Sequence, residues 1–315
     1  MLEKRIEIIS VLCLVLLITS RKICYGSSGF DFLRSDVGAR PSSMGGAFVG
    51  VTGDLHGLMT NPASLAGIQE MEMTFSYVDH LTDIQSGFIG FGKSVYGSGR
   101  LGISIAYIHY GEFKRTDIVG TDLGSFTSYD YTFSLAYADS FSYGFRFGAA
   151  VKIIQSKIDQ YTANGIAADF GIIYRIRREN MNIGLSVLNL GRATKTYVDI
   201  YEKLPVSYRV GFSKVLAHLP LMLNFNLIKY PYDQSNLFWG LYWALGGEFT
   251  MTDYFFLRWG YHSRGVEEKV GTDQDWFAGI SLGFGVRFRR YHLDYGFSGY
   301  GALGNKNYFT VTIPF

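Results

Sequence analysis

The sequence predicts an all-β fold, a transmembrane antiparallel β-barrel of about 14 strands preceded by an irregular segment. Three observations carry this. Apolar and polar residues alternate with a period of two from about residue 70 to the end of the chain. Charged residues make up only 18% of the 315 positions, aromatics 17%, and there are 38 glycines, whereas a soluble domain usually carries about 25% charge. The alternating run from Lys306 to Phe315 ends on an aromatic, and Phe309, Val311, Ile313 and Phe315 share one face.

The first 26 residues read as a signal peptide. Lys4 and Arg5 precede an apolar run from Ile8 to Ile18, and Gly26, Ser27 and Ser28 follow, with Cys24 at the −3 position of a cleavage after Gly26. The run is too short to span a bilayer as a helix. Cys13 and Cys24 are the only cysteines, so cleavage leaves neither a disulfide nor a thiolate metal site. It also removes four basic and two acidic side chains from totals of 29 and 27, leaving 25 of each. No basic face remains for a nucleic-acid partner.

Residues 27–68 are rich in Gly and small side chains and lack strand periodicity. Such glycines suit backbone packed closely against another surface. The stretch Leu55–Thr60 predicts one or two helical turns, stopped before Pro62. Residues 69–315 form the predicted barrel. Met71, Met73, Phe75 and Tyr77 alternate with Glu72, Thr74 and Ser76, and the pattern recurs near Ile84, Leu101, Tyr129, Tyr143, Ile166, Met181, Leu204, Leu221, Leu237, Phe255, Trp276, Tyr291 and Tyr308. Each run is long enough to cross a bilayer when tilted. One face is large and apolar and the other is Gly, Ala, Ser or Thr, as expected for a lipid-facing exterior and a crowded lumen. Tyr77, Tyr107, Trp239, Trp259, Trp276 and Tyr295 are candidates for the interfacial belts. Long loops are expected near Gly111–Phe126, Arg192–Lys203 and Arg264–Asp275.

The stretch from Gly38 to Asp54 and the motif Asn61-Pro62-Ala63-Ser64-Leu65-Ala66 resemble the N-terminal signature of the PorV/PorQ family, related to the FadL outer-membrane transporters of hydrophobic compounds. Asn189-Leu190-Gly191, Asp294-Tyr295-Gly296-Phe297 and the C-terminal Phe315 are similar too, and an uncharacterised spirochaete family shares the pattern. Gly53-Asp54 departs from the two acids of many relatives, and Ser64 stands where FadL-like chains usually have Gly. The resemblance implies a barrel plugged by its N-terminal segment, the hatch, with Arg40, Met44, Gly45, Gly46, Asp54, Asn61, Pro62 and Ala63 in gating roles. It implies the outer membrane of a diderm bacterium, with the lipid bilayer as surroundings and the barrel-assembly machinery engaging Phe315. It implies either passage of a hydrophobic small molecule such as a long-chain fatty acid, or a PorV-like role in type IX secretion that receives secreted cargo proteins.

Arg146, Lys152, Asp169, Glu248, Arg258, Arg287 and Asp294 fall on the small-residue face by strand parity and so point into the lumen. A lipid-facing Arg or Lys costs about 2–4 kcal/mol at mid-bilayer, which favours this placement. Their expected role is ion pairing with one another or with Arg40 and Asp54. A ligand carboxylate held by Arg146 or Arg258 is the sharper alternative. No pair among the six histidines has helix-ligand spacing, so no metal and no cofactor is expected. Asp54 and His56, two residues apart in a glycine-rich turn, do not read as a positioned dyad, and no enzyme is expected.

Overall fold

A computed structural model describes residues 30–80, 82–95, 99–198, 203–232 and 240–315. The expected signal peptide, Trp239 and the strand start at Leu237 lie outside the described residues. Fourteen strands, β1 to β14, form one closed barrel in chain order: Glu72–Asp79, Gln85–Ser94, Arg100–Thr116, Asp122–Ser140, Phe145–Ile158, Tyr161–Ile176, Met181–Lys195, Ser207–Val215, Leu221–Lys229, Leu241–Thr250, Phe255–His262, Ile280–Phe288, Tyr291–Gly299 and Asn305–Pro314. The barrel closes where β1 pairs antiparallel with β14, with Phe75 opposite Val311 and Tyr77 opposite Phe309. Closure leaves no edge strand with unpaired backbone groups, which a bilayer would penalise.

The period of two divides the wall as the sequence predicts. Phe75, Ile103, Ile105, Phe133, Val151, Ile166 and Phe170 are exposed on the outside, while Thr74, Ser104, Ala106, Thr132, Ser134, Ala150 and Ala167 are buried within. Turns of two to five residues join the strands at the end where β1 begins and β14 stops, and the longer connections 196–206, 230–240 and 263–279 lie at the other.

The N-terminal segment lies against the inner wall. Its short helix α1 (Ala39–Ser43) contacts β11 to β14, and the helical turn Pro62–Gly67 contacts β3 to β6. Contact requires glycine on the wall: a side chain at Gly148 would overlap the Pro62–Ala63 peptide, at Gly171 the Asn61 amide, and at Gly260 the Met44–Gly45 peptide. Two apolar clusters line one side. Phe30, Phe32 and Leu33 pack with Ile108, Ile154, Ala163, Ala167 and Leu204. Leu55, Leu58, Leu65 and Ile68 pack with Phe88, Ala106, Ala136, Ala138 and Ala150.

Three expectations are corrected. Gly111–Phe126 is not a loop: β3 and β4 extend through it to a turn in which the Asp117 carboxylate accepts the Val119 and Thr121 amides. Residues 112–116 and 122–125 are exposed on both strand faces, so no apolar alternation marks them, and a register shift after His109 disturbs parity. Trp276 does not open a strand but sits exposed in the turn Asp273–Phe277, capped by Thr272 and Asp275, and β12 begins at Ile280. Leu204 precedes β8 by three residues because Pro205 has no amide to donate to a ladder.

Replacing Gly260 with Val should leave the barrel closed but displace residues 44–45, at a cost of about 1–3 kcal/mol for overpacking. Limited proteolysis should then cut within residues 38–68 while heat-modifiable gel mobility persists. Protection equal to the parent would contradict the close contact.

Candidate functional site between the N-terminal segment and the barrel wall

Arg40, on α1, projects to the wall because the chain is extended at Gly38 and turns sharply after Met44 through Gly45 and Gly46, both at positive φ. Only glycine adopts that pair of conformations without strain. The Arg40 guanidinium grips Glu248 of β10 through Nε and Nη2, each at 2.8 Å, and reaches Asp54 of its own segment at 3.1 Å through Nη1. Glu248 also accepts from Arg258 of β11 at 2.6 Å, and Arg258 donates to Asp294 of β13 at 2.6 Å. The two-pronged contact is the strong form of an arginine–carboxylate pair. One chain of charges therefore ties the segment to three strands. It borders a cavity of about 430 Å³ at the short-turn end, lined also by Glu72, Arg287 and His292.

Asp54 caps the helical turn Leu55–Met59 by accepting the His56 amide at 2.9 Å, and the same oxygen meets His56 Nδ1 at 2.9 Å. His56 Nε2 meets Ser76 Oγ of β1 at 2.9 Å. The spacing argument that discounted Asp54 and His56 is corrected here, because the cap itself positions the pair. The row has the order of a hydrolase triad, yet its chemistry is that of a tether. Ser76 Oγ also bonds Thr310 Oγ1 at 2.8 Å, which accepts the Ala39 amide at 3.0 Å. β1 is paired on both sides, so its backbone amides are committed to ladders, whereas a hydrolase needs free donors aimed at an oxyanion.

Asn61 anchors the opposite side. Its amide nitrogen reaches the carbonyls of Val49, Ile172 and Leu185 at 3.0, 3.3 and 3.3 Å, and its oxygen accepts the Ala63 amide at 3.1 Å. Pro62 opens the following turn, where its missing amide leaves nothing unsatisfied. Met44 is fully buried, with Asn224 donating to its sulfur at 3.4 Å.

All seven predicted lumenal charges lie on the inner-face register, but not in one cluster. Glu248, Arg258 and Asp294 join Arg40 and Asp54. Lys152 and Asp169 form a separate buried pair at 2.7 Å. Lys152 also donates to the Asn189 side chain at 2.9 Å, and Asp169 accepts the Asn189 amide at 2.7 Å. Asn189 has positive φ where β7 slips register against β6. Arg287 lies over the Phe256 ring, and Arg146 stands apart near the rim. Arg258 already donates to two carboxylates, through Nε to Glu248 and Nη1 to Asp294.

Sequence reasoning missed the neutral contacts. Asn226 accepts the Val49 amide at 3.3 Å and donates to the Gly46 carbonyl at 2.9 Å; Asn182 donates to Gly50 and Ser186 to Thr60. Their signal was an amide or hydroxyl at inner-face positions, indistinguishable there from ordinary lumen polarity.

No protein-family model and no curated relative matches the chain. Solved structures resemble it in shape. The Ralstonia pickettii toluene transporter TbuX matches with a TM-score of 0.59 at 12% identity, covering 88% of this chain and 98% of that one. The Pseudomonas putida toluene transporter TodX matches with a TM-score of 0.61 at 9% identity, covering 90% and 99%. A Pseudomonas aeruginosa FadL homologue matches with 0.53 at 10% identity, covering 88% and 97%. At such identities the likeness shows the fold alone, a closed 14-strand barrel.

Arg40→Leu should destabilise the protein by about 3 kcal/mol, since it strips one partner from buried carboxylates. Against Glu248→Leu in a double-mutant cycle the coupling should be about 2 kcal/mol. Urea unfolding in lipid vesicles measures both, and additive effects would show that the ion pair is not a latch.

Proposed function

We propose that the protein is an outer-membrane channel that passes a hydrophobic small molecule, with residues 38–68 as its gate. The observation that carries this is the two-sidedness of the segment. Toward β10–β13 it is held by charge, through Arg40, Glu248, Arg258 and Asp294. Toward β2–β6 it meets the wall along two successive apolar clusters, with no ion pair among the described residues and only the Asn61–Ile172 and Arg100–Ile68 hydrogen bonds. Apolar contacts are non-directional and can be exchanged for contacts with an apolar ligand at little cost, whereas a buried ion pair cannot. A hydrophobic molecule would thus travel between the segment and β2–β6 while the charged side stays latched. The TbuX and TodX structures are toluene transporters by description, and the shared fold supports a cargo of that broad class.

The short-turn end would face the periplasm, as short turns do in bacterial barrels. Two exits are open to a ligand, the mouth at that end or the wall at the Asn189 bulge, where the β6–β7 ladder is interrupted. Phe315, exposed at the barrel terminus, would engage the assembly machinery. The secreted-cargo reading rests on the sequence resemblance, and the structural neighbours lend it no support.

Cells carrying the chain in their outer membrane should accumulate a long-chain fatty acid or an aromatic hydrocarbon about tenfold faster than cells without it, a barrier difference of about 1.4 kcal/mol. Ala168 and Leu190 face each other across the β6–β7 ladder. Closing a disulfide in Ala168→Cys/Leu190→Cys should abolish uptake if the exit is lateral and spare it if the mouth is used. Equal accumulation with and without the chain would remove the transport reading.

A further inference from the structure

The apolar strip along β2–β6 ends, at the short-turn mouth, in arginines that no carboxylate among the described residues meets. Arg146 stands opposite Ile173, which places it diagonal to Arg175 on the same inner face. Arg100 stands opposite Ala138, and Ser140, two residues on, faces Arg146. All three arginines therefore project from one end of β3, β5 and β6 toward the lumen. They lie below the Asn61–Ala63 turn, whose Pro62–Ala63 peptide rests on Gly148. Arg100 is held in place by a bond from Nε to the Ile68 carbonyl at 2.9 Å. Arg177 and Arg178 continue the positive charge, exposed on the next turn.

The charges acting on Arg146 are those of Arg175 and Arg100, both of its own sign. Among the described residues no carboxylate bonds any of the three. Asp139 is close in sequence but pairs in register with Phe147 on the outer face. On the same inner wall, Lys152 and Arg258 each have a carboxylate within 2.7 Å. Converging unpaired guanidiniums repel one another, and an anion relieves that repulsion.

We propose that Arg100, Arg146 and Arg175 form a binding site for the phosphate group of a lipid, seated where the apolar strip opens at the short-turn mouth. A phosphate monoester carries more than one negative charge and three acceptor oxygens, which suits three forked donors better than a single carboxylate does. Leu65 and Ile68, at the end of the apolar strip, supply apolar surface beside the site, and the Ile68 carbonyl bonds Arg100. That surface favours a lipid over a soluble phosphate ester as the source. The site stands or falls independently of transport, because it is tested by binding alone.

The test uses the full chain in neutral detergent, titrated with dioleoyl phosphatidic acid, dioleoylglycerol and oleate, with inorganic phosphate as competitor. The first two lipids share their acyl chains and differ by the phosphate. Phosphatidic acid should bind at least about tenfold tighter than dioleoylglycerol and than oleate. Arg146→Gln/Arg175→Gln should erase that preference, while Arg289→Gln, on the β12–β13 turn, should keep it. Retained heat-modifiable mobility confirms that each variant is folded. Failure of millimolar inorganic phosphate to compete supports the lipid source, and full competition would overturn it in favour of a site for soluble phosphate esters. Equal binding of phosphatidic acid and dioleoylglycerol, oleate binding as tightly as phosphatidic acid, or an unchanged preference in the double variant would each overturn the proposal.

Discussion

Irregular backbone at bilayer depth is tolerated only when protein or enclosed water satisfies every amide and carbonyl. Residues 38–68 meet that constraint by lying against a wall whose inner face is stripped to glycine where contact is closest. Gly148, Gly246 and Gly260 admit the segment's backbone, and Gly171 the Asn61 side-chain amide, to positions a single methyl group would occupy. Inner-face Asn182, Ser186, Asn226 and Thr310 then bond its otherwise unmet backbone groups. The barrel wall and the segment are in this sense one packing problem, and the charged latch at Arg40 is added to a fit that sterics already define.

The outer wall was legible in the sequence because lipid and lumen impose opposite demands on alternate residues. Phe75, Ile103 and Phe133 could face only one way, and the alternation ended in the β1–β14 closure that the C-terminal run implied. Where the solvent changes, legibility ends. The ends of β3 and β4 that meet at residues 117–121 are exposed on both faces, so they read as a loop. The small-residue segment read correctly as backbone pressed against a surface, but its partners did not. Arg40 and Glu248 are 208 residues apart, and parity alone placed Glu248 in the lumen without saying which cation it would meet. His56 was hidden differently: its role depends on Asp54 acting as a cap, and a two-residue spacing carries no such geometry by itself.

The segment is held unequally. On β10–β13 its removal would separate buried charges, a cost of several kcal/mol. On β2–β6 it would expose leucine, isoleucine and alanine surface that an apolar molecule could cover instead. That inequality is what the proposed gate rests on, and the interrupted ladder at Asn189 lies next to the apolar side.

If residues 38–68 act as the proposed gate, they must part from β2–β6 for a hydrophobic molecule to pass. Leu65 lies over Gly102 of β3, where an added side chain would stand 3.0 Å from the Leu65 methyl. Joining Leu65→Cys to Gly102→Cys with a short reducible thiol–thiol linker pins the gate there, and uptake by cells carrying the pinned protein is the direct measurement. Uptake should stay at the level of cells lacking the protein while the linker is intact and be restored when it is reduced. Equal uptake before and after reduction would contradict the gate.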